Sequence, residues 1–240
     1  MPHHPTHPPF LYGLVKQHGE FVGPAGNSSA ADSLALGSHV GTHIDALCHS
    51  SRGGKLFGGV EAASAQSSQQ GFTAHSIDTV APIVRRGVLL DVAGHARVDA
   101  LPPDFEIAPE HLDQATRAQS VTIERGDVVL LRTGWARYFH DARKFVSELH
   151  APGPGIAGAE WLSRHGVFAA GSDTLSFEKM PDAAMPVHVH LLVESGIHII
   201  ECLNLEELAA AAAWTFLLVA APLKIRGATA APVRPLAIVP

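Results

Sequence analysis

Five short apolar runs constrain what this chain can fold into more than any other feature. They are Gly87-Val-Leu-Leu-Asp-Val92, Asp127-Val-Val-Leu-Leu-Arg132, Val167-Phe-Ala-Ala170, Ile197-His-Ile-Ile200 and Phe216-Leu-Leu-Val-Ala220. Each is too short for a helix, lacks the alternation of a half-exposed strand, and has turn residues nearby, the pattern of a strand buried on both faces. Helical segments fall between some of them. Pro109 opens one through His111, Leu112 and Ala115, and Ala159 to His165 forms another, closed by Gly166. Asn204 with Glu207 makes a capping pair before a helix over Leu208 to Trp214. Strands alternating with helices predict a single α/β domain of 240 residues.

Composition narrows the function. With 17 Lys+Arg against 23 Asp+Glu the formal charge is −6, and no basic cluster tracks a phosphate backbone, so neither nucleic acid nor an anionic membrane is the expected partner. Two cysteines, Cys48 and Cys202, make no disulfide framework, and the opening MPHHPTHPPF has no signal-peptide pattern; a cytoplasmic location is expected. The apolar run Leu208 to Leu223 is too short to suggest a membrane span and reads as a helix followed by a strand. Residues 1–9, with His3, His4 and His7 among prolines, read as a flexible terminus, the proline spacing keeping the imidazoles from converging. Ala62 to Gly71 is polar and reads as a surface loop or weak helix.

The chemistry concentrates in His39-Val-Gly-Thr-His43-Ile-Asp45-Ala-Leu-Cys-His49. On an extended chain His39, His43, Asp45 and His49 share one face, while Val40, Thr42, Ile44, Ala46 and Cys48 share the other and suit a core. A helix fits worse, since Asp45 would lie about 200° around from His43. A straight strand would span roughly 33 Å, so Gly41 is expected to bend the chain and return His39 toward His43 and Asp45. Imidazoles with a carboxylate are the donors of a divalent metal site. His49 is either a further ligand or a proton carrier beside the metal. More ligands are expected from Pro186 to Glu201. A helix over about 186–195 turns His188 inward and pairs His190 with Glu194 in solvent, and Glu201 ends a buried strand where a carboxylate needs a partner.

HVGTHIDALCH resembles the H-x-G-T-H-x-D-x-P-x-H signature of the cyclase family of metal-dependent hydrolases, which includes bacterial kynurenine formamidase and isatin hydrolase. RRGVLLDVAG (85–94), GDVVLLRTGW (126–135), GSDTLSFE (171–178), GIHIIECLNL (196–205) and APLKIRGATAAPVRPLA (221–237) resemble it in the same order, over nearly the whole chain. The resemblance implies a swivelling β/β/α-type fold with a mixed sheet and flanking helices. It implies His39, His43 and Asp45 as metal ligands, His188 and Glu201 completing the site, and His49 as proton donor and acceptor. It further implies one or two zinc ions, with manganese in some relatives, and a homodimer or homotetramer acting on a small molecule. Leu47 replaces the signature proline, Cys202 stands where Asn is common, and with the HPPF segment at residues 7–10 the resemblance leaves an upstream strand typical of relatives expected to be missing.

The expected activity is hydrolysis of a formamide, cyclic amide or lactone by metal-activated water, in the manner of an arylformamidase or cyclic amidase. The competing readings are a metal-assisted cyclase or dehydratase and an inactive small-molecule-binding homologue. No G-x-S-x-G elbow supports a serine hydrolase. Phe10, Tyr12, Phe57, Phe72, Trp135, Trp161 and Phe177 are expected in the core rather than lining a pocket.

Overall fold

All five apolar runs become strands of one eight-stranded mixed sheet in the computed structural model, which describes residues 2–146 and 150–239. A hairpin of β1 (Leu11–Lys16) and β2 (Ala31–Ala35) stands apart from it. The sheet contains β3 (His43–Asp45), β4 (Ile83–Asp91), β5 (Val128–Arg132), β6 (Ala169–Ser172), β7 (His198–Glu201), β8 (Thr215–Ala220), β9 (Ala230–Pro232) and β10 (Leu236–Ile238). Their spatial order is β9-β3-β7-β6-β5-β4-β8-β10. The four strands β7-β6-β5-β4 run parallel in the centre, and antiparallel strands flank them on both sides.

The central runs lack apolar–polar alternation because both faces are covered. Val88, Leu90, Val129, Leu131 and Ile199 face one core, together with Leu112 and Ala115 of α1 (Pro109–Gln119) and Ala159 and Leu162 of α2 (Ile156–Arg164). Leu89, Val128, Leu130 and Ile200 face the other, which also holds Ile44, Cys48, Phe216 and Leu218. Together these layers form a single mixed α/β domain.

The helix begun by Pro186 is α3 (Pro186–His188), continued as a π-helix over Val189–Ser195 and ended by Gly196 at φ 67°. The last helix is shorter than expected, α4 (Glu206–Ala210) rather than Leu208 to Trp214. Asn204 Oδ1 does accept from the Glu206 amide at 3.3 Å. However, the Trp214 carbonyl accepts from the Leu89 amide at 2.9 Å, which draws residue 214 to the sheet and ends the helix early. Ala62 to Gly71 holds a single helical turn, Ala62–Ala65, and the strand Gln66–Ser67, which pairs with Gly71–Phe72. Among the described residues no helix is long and apolar enough to cross a membrane.

The N-terminal segment departs from its expectation as a flexible end. The His7 amide donates to the His4 carbonyl at 2.9 Å, closing a turn that stacks the two imidazoles with centroids 5.2 Å apart. The prolines therefore do not prevent this convergence. Phe177, Trp135 and Trp161 are buried as expected, whereas Phe10 and Tyr12 are exposed on or beside the hairpin.

Candidate metal centre

Strand β3 is only three residues long, yet its position decides the site. It lies antiparallel between β7 and β9, with Glu201 directly opposite His43 and Ala230 opposite Asp45. Directly paired residues present their side chains on the same sheet face, so a ligand pair far apart in sequence is brought together by register alone. The single-face reading of residues 39–49 holds strictly for His43 and Asp45. Beyond them the chain turns twice. Gly41, at φ 65°, bends it on the His39 side as expected. A second turn, in which the His49 amide donates to the Ala46 carbonyl at 2.9 Å, brings His49 back. The His39 and His49 rings thereby come within 4.2 Å, centroid to centroid.

The donor atoms converge at close range. His39 Nδ1 lies 2.9 Å from Asp45 Oδ1, His43 Nε2 lies 3.3 Å from Glu201 Oε2, and His188 Nε2 lies 3.2 Å from Glu201 Oε1. His188 Nε2 is also 3.8 Å from Asp45 Oδ2, and His43 Nε2 3.6 Å from Asp45 Oδ1. Nevertheless His43 Nε2 and both Asp45 oxygens are buried with no hydrogen-bond partner. Ligands held at about 2.0–2.2 Å from one ion lie roughly 3–3.5 Å from each other. The spacing and the orphaned atoms both fit a shared divalent cation. Two overlapping groups have this proximity, His43–Asp45–Glu201 and His39–Asp45–His49, with Asp45 common to both.

Outer partners fix each ring. His43 Nδ1 bonds the Gly41 carbonyl at 2.8 Å, and His39 Nε2 bonds Thr229 Oγ1 at 3.0 Å. His198 Nδ1 donates to the Asp45 carbonyl at 2.9 Å. Such contacts set which nitrogen faces an ion. Glu178 performs this work for α3 and was not singled out as a site residue in the sequence. Its Oε2 accepts from the amides of Val187 and His188 at 2.8 and 3.2 Å, and its Oε1 sits 3.5 Å from His188 Nδ1. The available signal was its place at the end of GSDTLSFE. Glu201 Oε1 is held by the Phe177 amide at 2.8 Å.

Electrostatics tell the same story. Burial opposes protonation of His43 and His188, but the carboxylates of Glu201 and Asp45, and of Glu178 and Glu201, overcome it and raise them to about 9 and about 10. Asp45 and Glu201 are buried, which favours the neutral acid, yet the surrounding imidazoles hold both well below the carboxylate range. Without a metal, protons supply the positive charge that the carboxylates demand. His49 behaves differently, since burial, against the pull of Asp45, pushes it down to about 4. It is a neutral base beside the cluster.

A cavity of about 180 Å³ opens onto these groups and is also lined by Leu175, Ser176, Met180 and Met185, and by His4 and His7. Burial, reinforced by His39 and His4, lowers His7 to about 4. His190 stays outside, bonded to Ser163 Oγ at 2.8 Å and Glu194 Oε2 at 3.0 Å. Cys48 belongs to the core, and burial raises its thiol and that of Cys202, so neither is a ready nucleophile. Cys202 adopts φ 55°, a left-handed conformation that Asn tolerates better than most side chains. Leu47 packs against the first core and lines a separate cavity of about 220 Å³ with His75 and His198.

The family model for cyclases ("Putative cyclase") matches residues 1–179, and the chain belongs to that family. Fold and family make it a metal-dependent hydrolase of the cyclase family, and its His/Asp/Glu cluster suggests a metal. Isatin hydrolase of Roseibium aggregatum is 29% identical over 215 residues, covering 86% of this chain and 74% of its own length. The crystal structure of a novel cyclase matches with a TM-score of 0.91 and 29% identity, over 99% of this chain and 82% of that one. An isatin hydrolase bound to the product analogue thioisatinate matches with a TM-score of 0.72 and 25% identity, over 98% of this chain and 83% of that one.

Proposed function

We propose that the protein hydrolyses a carbon–nitrogen bond in a small amide, a cyclic amide such as isatin or an aryl formamide, with a lactone as the oxygen counterpart. The observation that carries this reading is the set of converging, unbonded donor atoms of His43 and Asp45 beside the neutral His49 at a cavity. His39, His43, Asp45, His188 and Glu201 would hold the ion, which we take to be zinc, one or two per chain, with manganese as the alternative. When bound, it supplies Lewis acidity and lowers the pKa of water toward neutrality. The protein does the rest. His49 accepts the proton of the attacking water and returns it to the leaving nitrogen, so that amide and water become carboxylate and amine. Asp45 and Glu201 balance charge, while Glu178 and His198 keep His188 and Asp45 in place.

Metal analysis of the purified protein and a metal-supplemented screen of isatin, N-formylkynurenine and simple lactams test this reading. His43→Ala should lose metal and activity together. His49→Gln should keep the metal and lower kcat by about 10²–10⁴-fold; loss of metal in that variant would make His49 a ligand instead. Uptake of labelled solvent oxygen separates hydrolysis from cyclisation, and ligand binding without turnover across the panel would favour an inactive homologue. A homodimer or homotetramer is part of the proposal. The β1–β2 hairpin exposes Leu11, Tyr12, Leu14, Val15 and Leu34, and a two-stranded ribbon is marginal alone. Light scattering of the full chain should therefore report more than one protomer.

A further inference from the structure

The cavity of about 220 Å³ beside Leu47 shares no lining residue with the one at the metal cluster, and the proposed reaction leaves it unused. Its wall is mostly apolar, from Leu47, Val80, Pro82, Ile83 and Phe168, with a few polar groups set into it. That is the make-up of a small-molecule site. Leu47, standing where the family signature has proline, makes part of this wall a departure of this chain.

Two of the polar groups are unsatisfied. His198 donates from Nδ1 to the Asp45 carbonyl at 2.9 Å, which leaves Nε2 on the other side of the ring to accept a hydrogen bond. Among the described residues Nε2 bonds nothing, and it is not shut off from water as the unpaired atoms of the metal cluster are. Arg85 supplies charge. Its guanidinium carbon lies 4.1 Å from the centroid of the Phe168 ring, and Nη1 donates to the Gly126 carbonyl at 3.3 Å. No carboxylate of the described residues pairs with it, and none lines the cavity. In a chain of formal charge −6, a cation left without a carboxylate beside an apolar cavity is suited to an external anion. A phosphate needs donors on several sides, and here one guanidinium stands among apolar walls. A carboxylate needs only the planar fork.

We propose that this cavity binds a small carboxylic acid with an apolar body and a hydroxyl or amino donor. Arg85 takes the carboxylate, the apolar wall covers the body, and His198 Nε2 accepts from the donor. The site is independent of the hydrolase reading.

Calorimetric titration of the metal-loaded full-length protein with para-hydroxybenzoate tests it. Benzoate, which lacks the donor, and para-hydroxybenzamide, which lacks the charge, should each bind about three- to tenfold more weakly. Arg85→Met should raise the Kd of para-hydroxybenzoate by about tenfold and erase its advantage over the benzamide. His198→Asn keeps an amide near the Nδ1 position to donate to Asp45 but has nothing in place of Nε2. It should erase the advantage over benzoate and leave that over the benzamide. Absence of para-hydroxybenzoate binding to the wild type at millimolar concentration would overturn the proposal. A Kd unchanged by Arg85→Met would overturn it too, placing the probe at the metal cluster, as would equal binding of all three compounds.

Discussion

Two charged clusters on the same sheet, one partly exposed and one buried, are built on opposite terms. At the ends of β4 and β5, Arg132 sends Nη1 to Asp91 Oδ1 at 2.7 Å and grips Glu206 with Nε and Nη2 at 3.0 and 2.9 Å. Its guanidinium thus bonds both carboxylates, and Asp91 also accepts from the Gly94 amide at 2.9 Å. At β3 and β7, comparable charges approach as closely, yet His43 Nε2 and both Asp45 oxygens remain unbonded. The first cluster is complete within the chain and ties α4 to the sheet. The second leaves donor atoms unpaired, as a site that could hold a metal ion does. The second is also the more deeply buried, with Glu206 of the first 36% exposed and Asp45 1%; hydrogen-bond satisfaction is what separates a structural network from a binding site.

Asp45→Asn would break that contrast most severely. One carboxylate common to both donor groups is replaced by a neutral amide, so activity should fall to background and the metal content drop, while circular dichroism keeps the native fold. Retention of metal and turnover would mean that the cluster is merely another internal network. Arg132→Met should do the reverse, lowering unfolding free energy by about 1–3 kcal/mol because two partly exposed carboxylates lose their shared partner. Activity per folded molecule should stay near wild type, as denaturant titration and an assay of the folded fraction would show.

The metal-free protein sharpens the comparison through pH. His43 and His188 bind protons more tightly when folded, at about 9 and about 10 against 6.5, because the Glu201, Asp45 and Glu178 carboxylates outweigh the burial that opposes them. Their contribution is therefore full below about 6.5 and lost as pH rises through 9 and 10. Asp45 and Glu201, held low despite burial, contribute above their ordinary values of 3.8 and 4.5 and lose that contribution in acid. The urea midpoint of the metal-free protein should fall between pH 7 and pH 10, and saturating zinc should flatten the fall. A flat profile without metal would contradict the crowding described here. The smallest effect belongs to His190→Ala, which removes a partly exposed pair with Glu194. It should change stability by less than about 1 kcal/mol and leave metal content and turnover as they were.

Much of this was legible before any coordinates. The buried-strand runs each landed on a strand of the sheet because continuous apolar sequence of that length has few other uses. Parity correctly sent Ile44 and Cys48 to the core and turned His43 and Asp45 to the opposite face, and the 3.6-residue period turned His188 inward, whereas His190, expected in solvent, is only 16% exposed and packs on Ser163. Errors arose where distant parts of the chain decide local structure. The end of α4 is set by a bond from the Leu89 amide to the Trp214 carbonyl, which no capping rule sees. The second turn that returns His49 has no glycine to announce it. Glu178 is an unremarkable carboxylate until α3 is placed over it.

By itself, then, the sequence determined the alternation of strands and helices, the core faces, and which donor-bearing residues the chain possesses, since periodicity and residue chemistry are local properties. The tertiary structure alone decided which of them meet. Antiparallel pairing of β3 with β7 sets Glu201 against His43, and packing of the N-terminal turn against Gly37 brings His7 to the cavity. Register and side-chain contact depend on segments far apart in the chain, and no local pattern encodes their separation in space.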